Sequence, residues 1–321
     1  NDVPKLETLN CSNNLIGALE ISSSSLIDLN CSGNQLVNLD VSHLSTLEKL
    51  DVSNNQSLIN LNCSECALIS LNLNDCTNLK TLDCSSNQLP LLRVHWLTLL
   101  EEVDCSDNQI EQLFIAGCEN LTILNCSNNL QSSFIIGDSL PKISTIDCSS
   151  NLISAMDVRG SELKILNCSN NRLSGMDVSG CTQLEELYCS NNKIEALYAN
   201  ECTNLRIIDC SQNLQDSFWI DSNRFPNMTE LNCSDNKMDD LSVNDSSITT
   251  LDCSGNQLSY LDISNLSLNS FDGTRQNVGN IELKDNGTIF VGSAEAQFVP
   301  LVTTFYNNSA MTAVDELENF F

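Results

Sequence analysis

Apolar residues recur along the chain in one short alternating phrase, L-x-x-L-x-C, followed each time by S-x-N-x-L. The segment LKTLDCSSNQL, from Leu79 to Leu89, is its cleanest copy. Thirteen copies run from the one at Cys11 to the one at Cys253, and Val52 holds the cysteine slot in LEKLDVSNNQS. The usual step is 21 residues, with steps of 20, 22 and 23. Alternation with a period of two predicts a short strand with one buried face. A fixed repeat of this length predicts a solenoid, in which each coil packs only on its neighbours.

The asparagine three residues after the slot is present in every copy but one, where Cys66 replaces it. A chain leaving a strand exposes backbone groups inside the coil, and a buried amide side chain can bond them in its own coil and the next. The second half of each unit echoes the first, as in LISLNL, QIEQLFI, LSGMDV and KIEALYA. Half-turns of ten or eleven residues are too short for a full helix, so the return side is expected to be turn-rich or extended. One step is irregular. Cys31 and Cys63 lie 32 residues apart, half a unit too many. Either Val52 lies in the sheet, or Ser42 to Val52 is a duplicated half-unit that bulges outward; the match of DVSNNQSLINLNC to other second halves favours the bulge.

The array closes at SLNSFDGTRQ, with Gly273 in the cysteine slot and Gln276 in the asparagine slot. Asn286-Gly287 then stands between two β-prone runs, which predicts a hairpin over the last coil. The expected division is 1–276 for the repeat array and 277–321 for the cap and tail. The opening NDVPKLETLNC already lies inside the first repeat, so the start reads as a processed terminus or an internal boundary, without its signal peptide.

Forty-two acidic against 14 basic residues give a net charge of −28. That excludes nucleic acid and anionic membrane surfaces as partners, because both need Lys and Arg against phosphate. No apolar run reaches the length of a membrane span. Seventeen cysteines could suggest a disulfide scaffold, but twelve occupy one periodic apolar slot, where parallel side chains a strand apart miss bonding geometry. Cys76, Cys118, Cys181 and Cys202 repeat in a second register and read as a second buried column. The single C-x-x-C, Cys63 to Cys66, has no histidine near it in sequence, so no metal is expected. No nucleophile elbow, zinc-protease, phosphate-loop or dinucleotide motif occurs, and adjacent acids such as Glu101–Glu102 diverge. Neither an enzyme nor a cofactor is expected.

What remains is surface. The residue before the slot is Asn or Asp in every copy except one, and the residue after it is always Ser. Tyr188 is the exception, with Ile165, Glu186 and Ile207 in the column two residues before it, in successive coils, and Tyr198 and Phe114 on the adjoining edge. These six residues are the candidate ligand-binding patch, since aromatic residues are enriched at binding hot spots.

Repeats of the form LxxLxCSxNxLxxLDVS over residues 6 to 276 resemble the cysteine-ladder leucine-rich repeats of internalin-J-type bacterial surface proteins. The resemblance implies a leucine-rich repeat solenoid: a right-handed, β-rich superhelix, conventionally grouped with α/β folds, with a concave parallel sheet of about 13 strands, a turn-rich convex face and a C-terminal hairpin cap. It implies a monomeric, secreted or cell-surface bacterial module for adhesion, recognising an unknown protein or glycan ligand through the concave face. The alternative is a structural spacer that displays another domain.

Overall fold

A computed structural model describes residues 6–136, 139–158, 162–220, 223–243, 246–263, 266–276, 280–285 and 288–293. The chain divides into two units, Asn1–Leu205 and Arg206–Phe321. Among the described residues there is no helix. Strands of three residues, such as Thr81–Asp83 and Leu91–Arg93, alternate along the chain between two faces of a flattened coil. In most of these three-residue strands the middle residue turns inward, as Leu82 and Leu92 do, and its flanks are more exposed. Three-residue strands suffice because each central leucine stacks on its counterpart one coil away, and burying it contributes about 1.5–3 kcal/mol.

In the first unit one face carries a continuous parallel sheet of eight strands, Asn38–Asp40 through Glu186–Tyr188, called here the long sheet. Thr81 pairs in register with Glu102, which pairs with Ile123. The other face begins with four strands, Thr8–Asn10, Asp28–Asn30, Lys49–Asp51 and Ser70–Asn72, then continues as pairs such as Leu91–Arg93 with Gln112–Phe114. Pro90 accounts for the break before that pair, because it has no N–H to offer the preceding coil. In the second unit Ile207–Asp209, Glu230–Asn232, Thr250–Asp252 and Ser270–Asp272 pair in parallel, each with the next.

The residues that join strand to turn are held by the asparagine column. Asn87 Nδ2 donates to the carbonyls of Cys63 (2.9 Å), Cys84 (3.0 Å) and Ser85 (3.0 Å), while its Oδ1 accepts the Leu68 N–H at 2.8 Å. The same four-bond pattern recurs at Asn108 and Asn129. Each asparagine is preceded by a left-handed residue, with φ of 54° at both Ser86 and Asp107. That conformation is costly outside glycine and persists because the surrounding bonds over-determine it.

The expected bulge does not exist. Lys49–Asp51 pairs with Asp28–Asn30 on one side and Ser70–Asn72 on the other, and Val52, Leu44 and Leu47 are all buried. Half a coil crosses from one face to the other, so three half coils between Cys31 and Cys63 carry the motif to the opposite face. The ladder is therefore split. Cys11, Cys31 and Val52 directly follow strands of the four-stranded sheet, and Cys63 to Cys189 directly follow strands of the long sheet. The long parallel sheet is present as expected, but the first three motif strands belong to the four-stranded sheet instead.

The worn last copy keeps the spine. Gln276 Nε2 donates to the Cys253 and Gly273 carbonyls at 3.0 and 3.1 Å, and its Oε1 accepts the Leu258 N–H at 2.9 Å. Gly273 sits in the cysteine slot because Phe271 fills the space: a Cβ at Gly273 would lie 2.7 Å from the Phe271 ring. The hairpin forms as expected from Asn280–Asp285 and Thr288–Ser293 in antiparallel pairing, and its first strand adds in parallel to Tyr260–Asp262. The tail from Val299 to Phe321 and the turn residues Asn286-Gly287 lie outside the described residues.

Candidate functional site

The polar stripe of the long sheet is engaged with itself. Asp83 Oδ1 accepts the backbone N–H of Ser85 at 3.1 Å and its hydroxyl at 2.7 Å. Asp104, Asp147 and Asp209 repeat the arrangement with the serine two residues on. Bonds also run between coils, from Asn125 Nδ2 to Asp104 Oδ2 at 3.1 Å and from Asn167 Nδ2 to Asp147 Oδ2 at 3.0 Å. Such short side chains close turns on their own backbone. A shallow cavity of ≈500 Å³ lies over this sheet, with Asn60, Asp83, Glu102 and Ile123 among its walls.

Tyr188 interrupts the stripe. Its hydroxyl donates to Glu186 Oε2 at 2.9 Å, and Ser190 bonds the Ser169 hydroxyl at 3.2 Å. Ile165 pairs in register with Glu186, and Asn167 with Tyr188. Ile165, Glu186 and Tyr188 are thus brought together, each half-buried. Ile207 opens a strand of the second unit. Tyr198 and Phe114 do not join the patch. Both lie on second-half strands, Tyr198 beside Asp177 and Phe114 beside Arg93. They were expected on the adjoining edge, but a ten-residue half coil carries them to the other face.

In the first unit that other face also holds Trp96 and Ile135, which the sequence reading left out. Trp96, Phe114 and Tyr198 are exposed in the first unit, as Trp219 and Tyr260 are in the second, and every one belongs to a second half. Three of them, Phe114, Tyr198 and Trp219, follow a second-half leucine or phenylalanine directly, where the consensus LDVS has Asp; that departure was the available signal. In the first unit a groove of ≈550 Å³ is lined by Arg93, His95, Trp96, Phe114, Ile135 and Ser139, among others. The Arg93 guanidinium lies 5.2 Å from the Phe114 ring centroid.

The cysteines are not part of any site. All seventeen are thiols, and all but Cys11 are buried. Burial pushes the Cys31 and Cys168 thiols up to about 12, and Cys66, Cys76 and Cys118 to about 11. Reactive cysteines need the opposite, a stabilised thiolate. The second-register thiols stand where asparagine stands in the first half. Cys118 Sγ donates to the Val94 carbonyl at 3.1 Å, and Cys202 Sγ to that of Val178 at 3.1 Å. Cys66 does the same for Val41 at 3.2 Å, which explains its substitution for asparagine. Among the described residues no group of His, Cys, Asp or Glu is placed to hold a metal ion, and no helix is long and apolar enough to cross a membrane.

The description of leucine-rich repeats in two copies matches residues 161–202. No curated protein matches the sequence. Among solved structures, the functional domain of InlJ from Listeria monocytogenes, which includes a cysteine ladder, is 25% identical with a TM-score of 0.51. The alignment covers 82% of this chain and 65% of that domain. A leucine-rich repeat protein of Leptospira interrogans is 21% identical (TM-score 0.54; 74% of this chain, 68% of that one), and YopM from Yersinia enterocolitica is 23% identical (TM-score 0.57; 87% and 62%). The chain thus spans about two thirds of the length of these relatives, and the last two share the fold. The chain has the fold of a leucine-rich repeat solenoid, with a repeating column of buried cysteines, and is similar to the functional domain of InlJ.

Proposed function

We propose that the chain is a non-enzymatic binding module of a secreted or surface-displayed bacterial protein, used in adhesion and recognising a protein or glycan ligand through the long sheet. The observation that carries this reading is the break in the polar stripe. Twelve motif copies have Asn or Asp before the slot, and one offers the Tyr188–Glu186 pair with Ile165 at its side. An aromatic ring with a hydroxyl handle gives apolar contact and direction together. Ile207 remains a candidate in the second unit, and Phe114 and Tyr198 remain candidates on the second-half strands. The likeness to the InlJ domain supports the placement at a bacterial surface.

The test is a protein and glycan array probed with wild type and Tyr188→Ala, with the fold of both checked by circular dichroism. Loss of a specific signal in the variant is the expected result. A ligand bound equally by both moves recognition off the long sheet.

A further inference from the structure

The second-half face of the first unit presents an apolar surface built in a way the fold does not require. Trp96 is 69% exposed, so its ring adds little to the core. Its backbone is left-handed, with φ of 65°, in a slot that holds Asp75, Gly117, Gly180 and Glu201 in other coils. A bulky residue there is an outlier. The ring nevertheless has a fixed seat, because it lies against Gly117 of the next coil, whose lack of a Cβ leaves the necessary room. Ile135 is 68% exposed two coils from Arg93, in the same strand position as Phe114 and Arg93. Tryptophan platform, phenylalanine, isoleucine and arginine therefore line one groove.

The charge at this groove opposes that of the molecule. Acidic residues outnumber basic ones 42 to 14, and Lys80, Lys164 and Arg275 each face a carboxylate. Arg93 has no carboxylate partner among the described residues; it packs on the Phe114 ring instead, with His95 lining the same groove. A cation held over an aromatic face keeps its in-plane N–H donors for an incoming anion. The protein's overall negative field is screened beyond about 8 Å at physiological ionic strength, so contact at Arg93 decides the preference.

We propose that this groove docks an acidic peptide segment, in which a carboxylate reaches Arg93 while a neighbouring aliphatic or aromatic side chain packs between Trp96, Phe114 and Ile135. The inference rests on the reading of the chain as a binding module, and it uses a different face from the Tyr188 patch. A saccharide fits less well, because Ile135 and the aliphatic floor offer it few hydrogen-bonding groups.

The experiment pans a random peptide library displayed on phage against immobilised wild type, Arg93→Glu, Trp96→Ala and Tyr188→Ala. Circular dichroism and resistance of native thiols to alkylation verify each fold. Wild type and Tyr188→Ala are expected to enrich peptides with Asp or Glu next to an aromatic or aliphatic residue. Synthetic copies should bind Trp96→Ala at least about tenfold more weakly, the size of one lost hot-spot side chain. Arg93→Glu should shift the enriched sequences toward Lys and Arg. No enrichment, a basic consensus on wild type, or a consensus unchanged by Arg93→Glu overturns the proposal. So does binding of wild type to sialylated or uronic oligosaccharides that Trp96→Ala abolishes, which assigns the platform to sugar. Loss in Tyr188→Ala with Arg93→Glu unaffected rejects this groove while leaving the long-sheet reading intact.

Discussion

At the scale of single residues, the repeat works by giving each buried backbone carbonyl a donor. Asn129 Nδ2 bonds the carbonyls of Cys105, Cys126 and Ser127, and its Oδ1 accepts the Ile110 N–H. Removing it by Asn129→Ala orphans groups that water cannot reach, at a cost of about 1–3 kcal/mol. Gln131, two residues later, shows the converse. It occupies the buried leucine slot of its copy, while Leu130 takes the exposed place normally held by a polar residue, and Gln131 Nε2 has no partner among the described residues. Gln131→Leu should therefore stabilise by about 1 kcal/mol, since a buried amide with an orphaned Nε2, held only by a weak thiol bond from Cys126 to its Oε1, is replaced by matched apolar volume. Chemical denaturation of both variants, with equal denaturant slopes, checks the opposite signs. Identical midpoints for either variant and wild type would remove that residue's assigned role.

At the scale of elements, the unit of construction is the half coil. The strand, the inward leucine and the buried asparagine were legible because each leaves a mark in the periodicity of the sequence. The face on which a half coil lands leaves no such mark. Val52 and Cys63 belong to equally good copies of one phrase, yet one follows a strand of the four-stranded sheet and the other a strand of the long sheet. For the same reason Phe114 and Tyr198 were placed beside Tyr188 by motif position and stand apart from it in space. Trp96 and Ile135 were missed because exposure depends on which neighbours the next coil provides, such as the missing Cβ of Gly117. Deleting residues 42–52, eleven in number, joins Val41 to Ser53 and restores a 21-residue step between Cys31 and Cys63. The shortened chain is expected to fold cooperatively with all motif strands on one face. Circular dichroism and thermal melting test this, and a molten or insoluble product would show that the half coils are not interchangeable.

At the scale of the whole molecule, the buried thiols couple stability to pH in one direction. Their native values are raised, to about 11 for Cys66, Cys76 and Cys118 and about 12 for Cys31 and Cys168, with further buried ladder cysteines shifted the same way by desolvation. An unfolded cysteine ionises near 8.5. The unfolded chain therefore releases protons above that pH while the native chain holds them. The stability contributed is fully present below about pH 8.5 and is lost as pH rises toward 11–12. Each such thiol removes about 1.4 kcal/mol per pH unit across the window. A steep fall in melting temperature from pH 8.5 to 10.5 is the expected outcome, shallower in a variant with several ladder cysteines replaced by valine, as Val52 already is. Equal slopes in the two proteins would locate the alkaline sensitivity elsewhere.

The split ladder has a consequence for how such a protein changes. What each side of the solenoid shows to a partner depends on the parity of the half coils before it. Gaining or losing an odd number of them exchanges the two sides for everything downstream, while every buried contact keeps its form. An insertion of ten or eleven residues thus acts as a toggle on recognition with little demand on folding, and a lineage of these proteins can reverse its outward text without rewriting a single downstream residue.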